Sequence, residues 1–198
     1  MELCPMPRAE LPAWYDKELS EAFPPNERKP LADFYALIDA GRYQILGLYE
    51  DGALLGYAGM WRDPGYPAYV LLDQLGVAAA RRNGGLGGKI LALLEARYRG
   101  KACIITEAER PIPGGSPEEN AIRLRRIEFY KRAGFVPTYE MGACGVRFQA
   151  LILGGEPADL PALIEAHRAI YGPSRTDVKI PLGSDEVPEP PYWMRENG

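Results

Sequence analysis

A chain of 198 residues is long enough for one domain with a full core, or for one domain and a small appendage. Its hydrophobic fraction of 46% and charged fraction of 25% are ordinary for a soluble globular protein, and a net charge of −4 speaks against a general nucleic-acid binder. No apolar run approaches a bilayer span, Met1 to Pro5 lack the features of a secretory signal, and Cys4, Cys103 and Cys144 are too scattered for a disulfide framework or a zinc site. The expected setting is therefore cytoplasmic, with no metal and with neither nucleic acid nor membrane as partner.

In chain order, Glu2 to Met6 reads as a short strand before Pro7. Leu11 to Ala22 reads as an amphipathic helix with Leu11, Trp14, Tyr15, Leu19 and Phe23 on one face. The prolines between Phe23 and Pro30 break it, and a second helix runs from Leu31 to Ala40, ending at Gly41. Two apolar runs, Tyr43 to Tyr49 and Ala53 to Trp61, flank an Asp51-Gly52 pair and predict a β-hairpin. Tyr69 to Val77 is a third strand of that group. Leu86 to Arg99 carries Leu86, Ile90, Leu93, Leu94 and Tyr98 at helical spacing.

Ala102 to Ala108 is apolar enough for a strand buried on both faces. Ser116, Pro117 and Glu119 form the start signal of a helix that runs to Ala133 and stops at Gly134. Strands around Phe135 to Glu140 and Arg147 to Leu153 follow, then a helix from Ala158 to Tyr171. Residues 172–198 are proline-rich and polar, and read as an extended tail docked on the body or on a second subunit of a homodimer. The element order predicts a single mixed α/β domain over residues 1–171, followed by that tail.

The most informative stretch runs from Leu75, Gly76 and Val77, through Arg82, Asn83, Gly84, Gly85, Leu86, Gly87 and Gly88, to Ile90. A strand enters a glycine-dense turn that opens directly into a helix. Glycines let backbone N–H groups approach a ligand, and a helix N-terminus offers unpaired donors with a favourable dipole. The result is a cradle for a phosphate or pyrophosphate. A P-loop would need glycine in place of Asn83 and Ser or Thr in place of Ile90; a dinucleotide fingerprint would need glycine or alanine at Ile90. Neither template fits.

Arg82-Asn83-Gly84-Gly85-Leu86-Gly87 does meet a third template, Arg/Gln-x-x-Gly-x-Gly/Ala. Farther on, Tyr130-Lys131-Arg132-Ala133-Gly134-Phe135 ends a helix with the pattern Tyr-x-x-x-Gly-Phe. In both signatures, their order and the strand between them, the chain resembles the GNAT superfamily of N-acetyltransferases from about Pro30 to Leu153. The resemblance implies a mixed, mostly antiparallel central sheet flanked by helices. It also implies acetyl-CoA as co-substrate and an amine as acceptor, the acceptor's identity being open.

It further places the pantetheine arm against the Leu75 to Val77 backbone, where an N–H would meet the oxyanion, and the pyrophosphate on Arg82 to Gly88. Tyr130 becomes the acid that protonates the departing thiolate, a role its high reference pKa permits. For the base, Glu107 holds the position of the catalytic glutamate in ribosomal-protein N-terminal acetyltransferases. Glu109 shares its face by strand period, although an ion pair with Arg110 is its plainer reading. Asp73 is a third candidate, a charge set among Leu71, Leu72 and Leu75.

The chain departs from the commoner family pattern at Arg123, where many members carry an asparagine seven residues before the tyrosine. Arg125, Arg126, Lys131 and Arg132 read chiefly as a solvated basic face. The loops Phe23 to Pro30, Glu109 to Gly115 and Met141 to Gly145 are expected around the acceptor pocket. Cys103, mid-strand, is expected to be buried, which favours direct transfer in a ternary complex over an acyl-cysteine intermediate. His167, alone on the last helix, is expected to be structural or exposed. The competing reading is a non-catalytic acetyl-CoA sensor, which would need neither Tyr130 nor Glu107.

Overall fold

A computed structural model describes residues 1–154, 159–183 and 186–195. The expected helix start at Ala158 and the tail positions 184–185 and 196–198 lie outside them. The elements are β1 (Glu2–Pro5), α1 (Leu11–Ala13), a π-helical stretch (Trp14–Leu19), α2 (Ser20–Ala22), α3 (Leu31–Asp39), β2 (Tyr43–Glu50), β3 (Ala53–Trp61) and β4 (Tyr69–Val77). They continue with α4 (Leu86–Tyr98), β5 (Cys103–Glu109), α5 (Pro117–Arg132), β6 (Val136–Ala143), β7 (Val146–Leu153) and α6 (Leu160–Tyr171).

The strands form one seven-stranded sheet in the order β1-β2-β3-β4-β5-β7-β6. Every neighbouring pair is antiparallel except β4 and β5, which α4 connects in parallel. Among the described residues no helix is long and apolar enough to cross a membrane.

One correction concerns Leu11 to Ala22, expected as a single α-helix. The chain widens to a π-helix over Trp14–Leu19. Positions five apart are about 140° apart around an α-helix of 3.6 residues per turn, but come closer together where the bonding reaches i+5. The widened turn buries both Trp14 (2% exposed) and Leu19 (0%).

The sheet has a core on each face. One packs α4 against the strands through Ile90, Leu91 and Leu94, with Leu46, Met60, Leu72 and Leu151 opposite. The other is aromatic, and its rings run from Trp14 to Phe34 to Tyr43, then through Trp61 to Tyr171, meeting edge to face except for the tilted pair of Tyr43 and Trp61. Ring centroids in that run are 5.1 to 6.1 Å apart. Each such pair adds about 0.5–1.5 kcal/mol beyond the burial of its area. The run also fixes where the Tyr43 and Tyr171 hydroxyls end up.

Two irregularities of β4 shape the site. Gly59 faces Gln74 and Met60 faces Leu72, so Asp73 has no opposite residue on β3. This is the two-against-one count of a β-bulge, which bends a strand and re-aims a side chain. Pairing between β4 and β5 stops at Leu72 and Thr106, although the strands continue to Val77 and Glu109. The two part and leave a gap.

After α6 the chain returns along the outer strand. Lys179 and Gly142 exchange backbone hydrogen bonds of 2.8 and 3.0 Å, and the Leu182 N–H donates to the Glu140 carbonyl at 2.8 Å. The Trp193 indole N–H donates to the Pro25 carbonyl at 3.1 Å.

Candidate active site

The glycine-rich turn leads into α4 through Gly85, whose φ of +73° is a left-handed conformation that glycine adopts without the Cβ penalty. The first intrahelical bond runs from the Lys89 N–H to the Gly85 carbonyl. The N–H groups of Leu86, Gly87 and Gly88 lie ahead of it, as the orphan donors of a helix start. A Cβ on Gly87 would stand 3.2 Å from the Phe129 ring, and one on Gly88 would meet nothing within 4 Å. The cradle is thus bare on the outside and closely packed underneath, as an approaching phosphate requires. The Arg82 Nε–H donates back to the Val77 carbonyl at 3.4 Å.

Where β4 and β5 part, a cavity of about 230 Å³ opens, lined by Phe23, Glu27, Asp73, Glu107, Glu109 and Tyr130 among others. Phe129 lines it as well and would stand 3.2 Å from a Cβ on Gly87, so cradle and cavity adjoin. A smaller chamber shares Glu27, Asp73 and Glu107 and extends to Cys144, Arg175 and Trp193.

The sequence profile of the Acetyltransferase (GNAT) family matches residues 10–135. The chain belongs to that family. A curated relative, the candidate acetyltransferase YjbC of Bacillus subtilis (strain 168), is 29% identical over 138 residues. The match covers 65% of this chain and spans 59% of that protein's length. A GNAT-family protein of Bacteroides thetaiotaomicron superposes with a TM-score of 0.67 over 84% of this chain and 94% of its own, at 22% identity, and so shares the fold. YncA of Salmonella typhimurium, a candidate acetyltransferase solved with its cofactor acetyl-CoA, is 26% identical, covers 79% of this chain and 95% of its own, and superposes with a TM-score of 0.54.

Within this GNAT fold each of the three carboxylates singled out in sequence already has partners. Asp73 accepts from the Lys29 ammonium at 2.7 and 2.9 Å and from the Tyr43 hydroxyl at 2.6 Å. Both side chains of that ion pair are buried, at 6% and 8% exposure, and the Lys29 ammonium lies 4.6 Å from the Trp61 ring centre. Glu107 accepts from the Tyr171 hydroxyl at 2.8 and 2.9 Å and from His167 Nε2 at 2.8 Å. Burial, with Glu107 and Asp73 nearby, drives the Tyr171 phenol far above its usual range; burial and Asp73 do the same for Tyr43. Both hydroxyls therefore remain donors.

Glu109 pairs with Arg123 at 3.0 Å and Arg126 at 2.8 Å, not with Arg110, which pairs with Glu140. Strand alternation separates Arg110 from its neighbour, while Arg123 and Arg126 lie one turn apart on α5. The arginine at the atypical position, Arg123, is thus the group that holds Glu109. Tyr130 is partly exposed to the cavity, its ring between Phe129 and Phe135, with centroids 5.3 and 5.4 Å away. Burial raises its phenol pKa, opposed by the Thr106 hydroxyl and Arg126.

Sequence reasoning gave no site role to two groups, reading His167 as structural or exposed and Glu27 only as part of the pocket-wall loop Phe23 to Pro30. His167 is fully buried and bridges Tyr139 at 2.8 Å to Glu107 at 2.8 Å. A neutral ring that donates from Nε2 and accepts at Nδ1 satisfies both. Glu27 sits in the loop after Pro24 and Pro25 and lines both chambers. Burial first, then Glu109, Glu107 and Asp73, push its carboxyl up to about 7 against the pull of Arg126. Neither had a local signal, since one is a lone histidine and the other a loop glutamate.

Proposed function

We propose that the chain transfers an acetyl group from acetyl-CoA to an amine by direct attack in a ternary complex. The observation that carries this reading is the unpaired end of β4 and β5, with the N–H cradle of α4 on one side and a cavity holding four carboxylates and Tyr130 on the other. In it the pyrophosphate rests on Arg82, Asn83, Gly84, Gly85, Leu86, Gly87 and Gly88, and the pantetheine arm follows the backbone of Leu75, Gly76 and Val77. An N–H of that backbone meets the oxyanion, and Tyr130 gives its proton to the departing thiolate.

Glu107, which has no lysine or arginine partner, favours an ammonium acceptor within the cavity, whereas Lys29 offsets Asp73 and Arg123 and Arg126 offset Glu109. Direct transfer is supported by the thiols. Burial pushes Cys103 up to about 11 and Cys144 up to about 12, leaving neither with an appreciable thiolate near neutrality. Residues 1–171 form the catalytic body in this reading. The tail, through Arg175 and Trp193, closes the far end of the acceptor chamber.

The test is release of free coenzyme A thiol from acetyl-CoA with an amine panel: spermidine, an N-acetyl-lysine ester, an aminoglycoside and a peptide with a free N-terminus. Amine-dependent release is expected. Tight acetyl-CoA binding with no release from any amine would favour the sensor instead. Gly87→Val would set a branched side chain against Phe129 inside the cradle. It is expected to weaken acetyl-CoA binding by at least about tenfold, which is ~1.4 kcal/mol in titration calorimetry.

A further inference from the structure

We infer that Glu27 is the general base that removes a proton from the acceptor's ammonium group, an assignment that rests on the acyl-transfer reading above. A base needs a lone pair free to receive the proton. Of the four carboxylates lining the cavity, Asp73 is held by Lys29 and Tyr43, Glu107 by His167 and Tyr171, and Glu109 by Arg123 and Arg126. The Glu27 N–H donates to the Pro24 carbonyl, but its carboxylate makes no hydrogen bond and no ion pair among the described residues, and it borders both the cavity beside Tyr130 and the chamber behind it.

A base also works best when it titrates near the working pH. The charged groups around Glu27 come from every packed element: Asp73 of β4 with its partner Lys29, Glu107 and Glu109 of β5, Arg126 of α5, and Arg175 beyond α6. Burial first, then the neighbouring carboxylates of Glu109, Glu107 and Asp73, outweigh Arg126 and move Glu27 from 4.5 to about 7. It can then take a proton from an ammonium at neutral pH and return it to water.

The step balances. Glu27 takes the first ammonium proton, which is the one proton the overall reaction releases. The freed lone pair forms the C–N bond to the thioester carbon. As the C–S bond breaks, Tyr130 protonates the sulfur, and the nitrogen's second proton replaces the one that Tyr130 gave.

The experiment compares the full chain with Glu27→Gln and Glu27→Asp, using acetyl-CoA and whichever amine of the panel releases most thiol. Wild type should show kcat/KM falling tenfold per pH unit below about pH 7. Glu27→Gln should lower kcat/KM at pH 7 by about 10²-fold and remove the bend near pH 7, the slope then continuing upward, and Glu27→Asp should restore part of both the rate and the bend. The Gln variant should recover toward about pH 10, where a primary amine loses its proton unaided.

Its affinity for acetyl-CoA should be unchanged. The folded state holds the Glu27 proton to a higher pH than an unfolded chain would, so ionisation between pH 4.5 and about 7 costs stability that Gln does not lose. Its melting temperature at pH 8 should therefore equal or exceed wild type. If an amine is acetylated and Glu27→Gln keeps both the rate and the bend near pH 7, the base assignment falls and the acyl-transfer reading stands. If no amine releases thiol, both fall.

Discussion

Lys29→Met is expected to lower the free energy of unfolding by about 3–5 kcal/mol, the usual loss when one partner of a buried ion pair is removed. Lys29 and Asp73 are nearly sealed from solvent, at 6% and 8% exposure, and their atoms meet at 2.7 Å. Without the ammonium, Asp73 keeps a buried charge with only the Tyr43 hydroxyl against it. The aromatic wall of Phe34, Tyr43 and Trp61 around the ammonium offers no replacement counter-charge.

Urea unfolding measures the effect as a shift in midpoint at constant slope. Lys29→Met combined with Asp73→Leu should lose much less than Lys29→Met alone, because no lone charge remains. A single-variant loss below about 1 kcal/mol, as for an exposed pair, would show that the two groups are solvated after all.

Tyr130→Phe is expected to reduce kcat by at least about 10²-fold, the lower range for a general acid in the transition state. The ring packs between Phe129 and Phe135 and is kept by phenylalanine, so the end of α5 and its contact with β5 should survive. Acetyl-CoA affinity should therefore hold within about twofold, since the cradle lies on α4. Single-turnover thiol release separates the two effects. Unchanged turnover would remove Tyr130 from the mechanism. A matching loss of affinity would make its role one of binding.

The fold was legible wherever its signal is local. The Asp51-Gly52 pair set the hairpin of β2 and β3, with Glu50 opposite Ala53. Ser116 caps α5 by accepting from the Glu119 N–H, although the Glu119 carboxylate turns to Arg123 and does not complete a capping box. The run from Val77 to Gly88 carries its own geometry, because glycine conformation and helix-start donors depend on a few adjacent residues. The π-helical widening at Trp14–Leu19 was not legible, since it follows from what the two side chains pack against.

The carboxylates divide in the same way. Sequence placed Glu107 and Glu109 on one strand face and marked Asp73 as a charge among leucines. It could not assign their partners. Glu107 finds His167 and Tyr171 on α6, Asp73 finds Lys29 and Tyr43, and Glu109 finds α5 instead of its neighbour Arg110. Those pairings decide which carboxylate is free, and so point to Glu27, a residue with no periodicity or motif around it. Backbone conformation is set over a few residues and can be read from them. Charge and burial are set by everything within several ångströms, so the sequence by itself determined the cradle and the sheet, and only the tertiary structure decided the electrostatics of the cavity beside them.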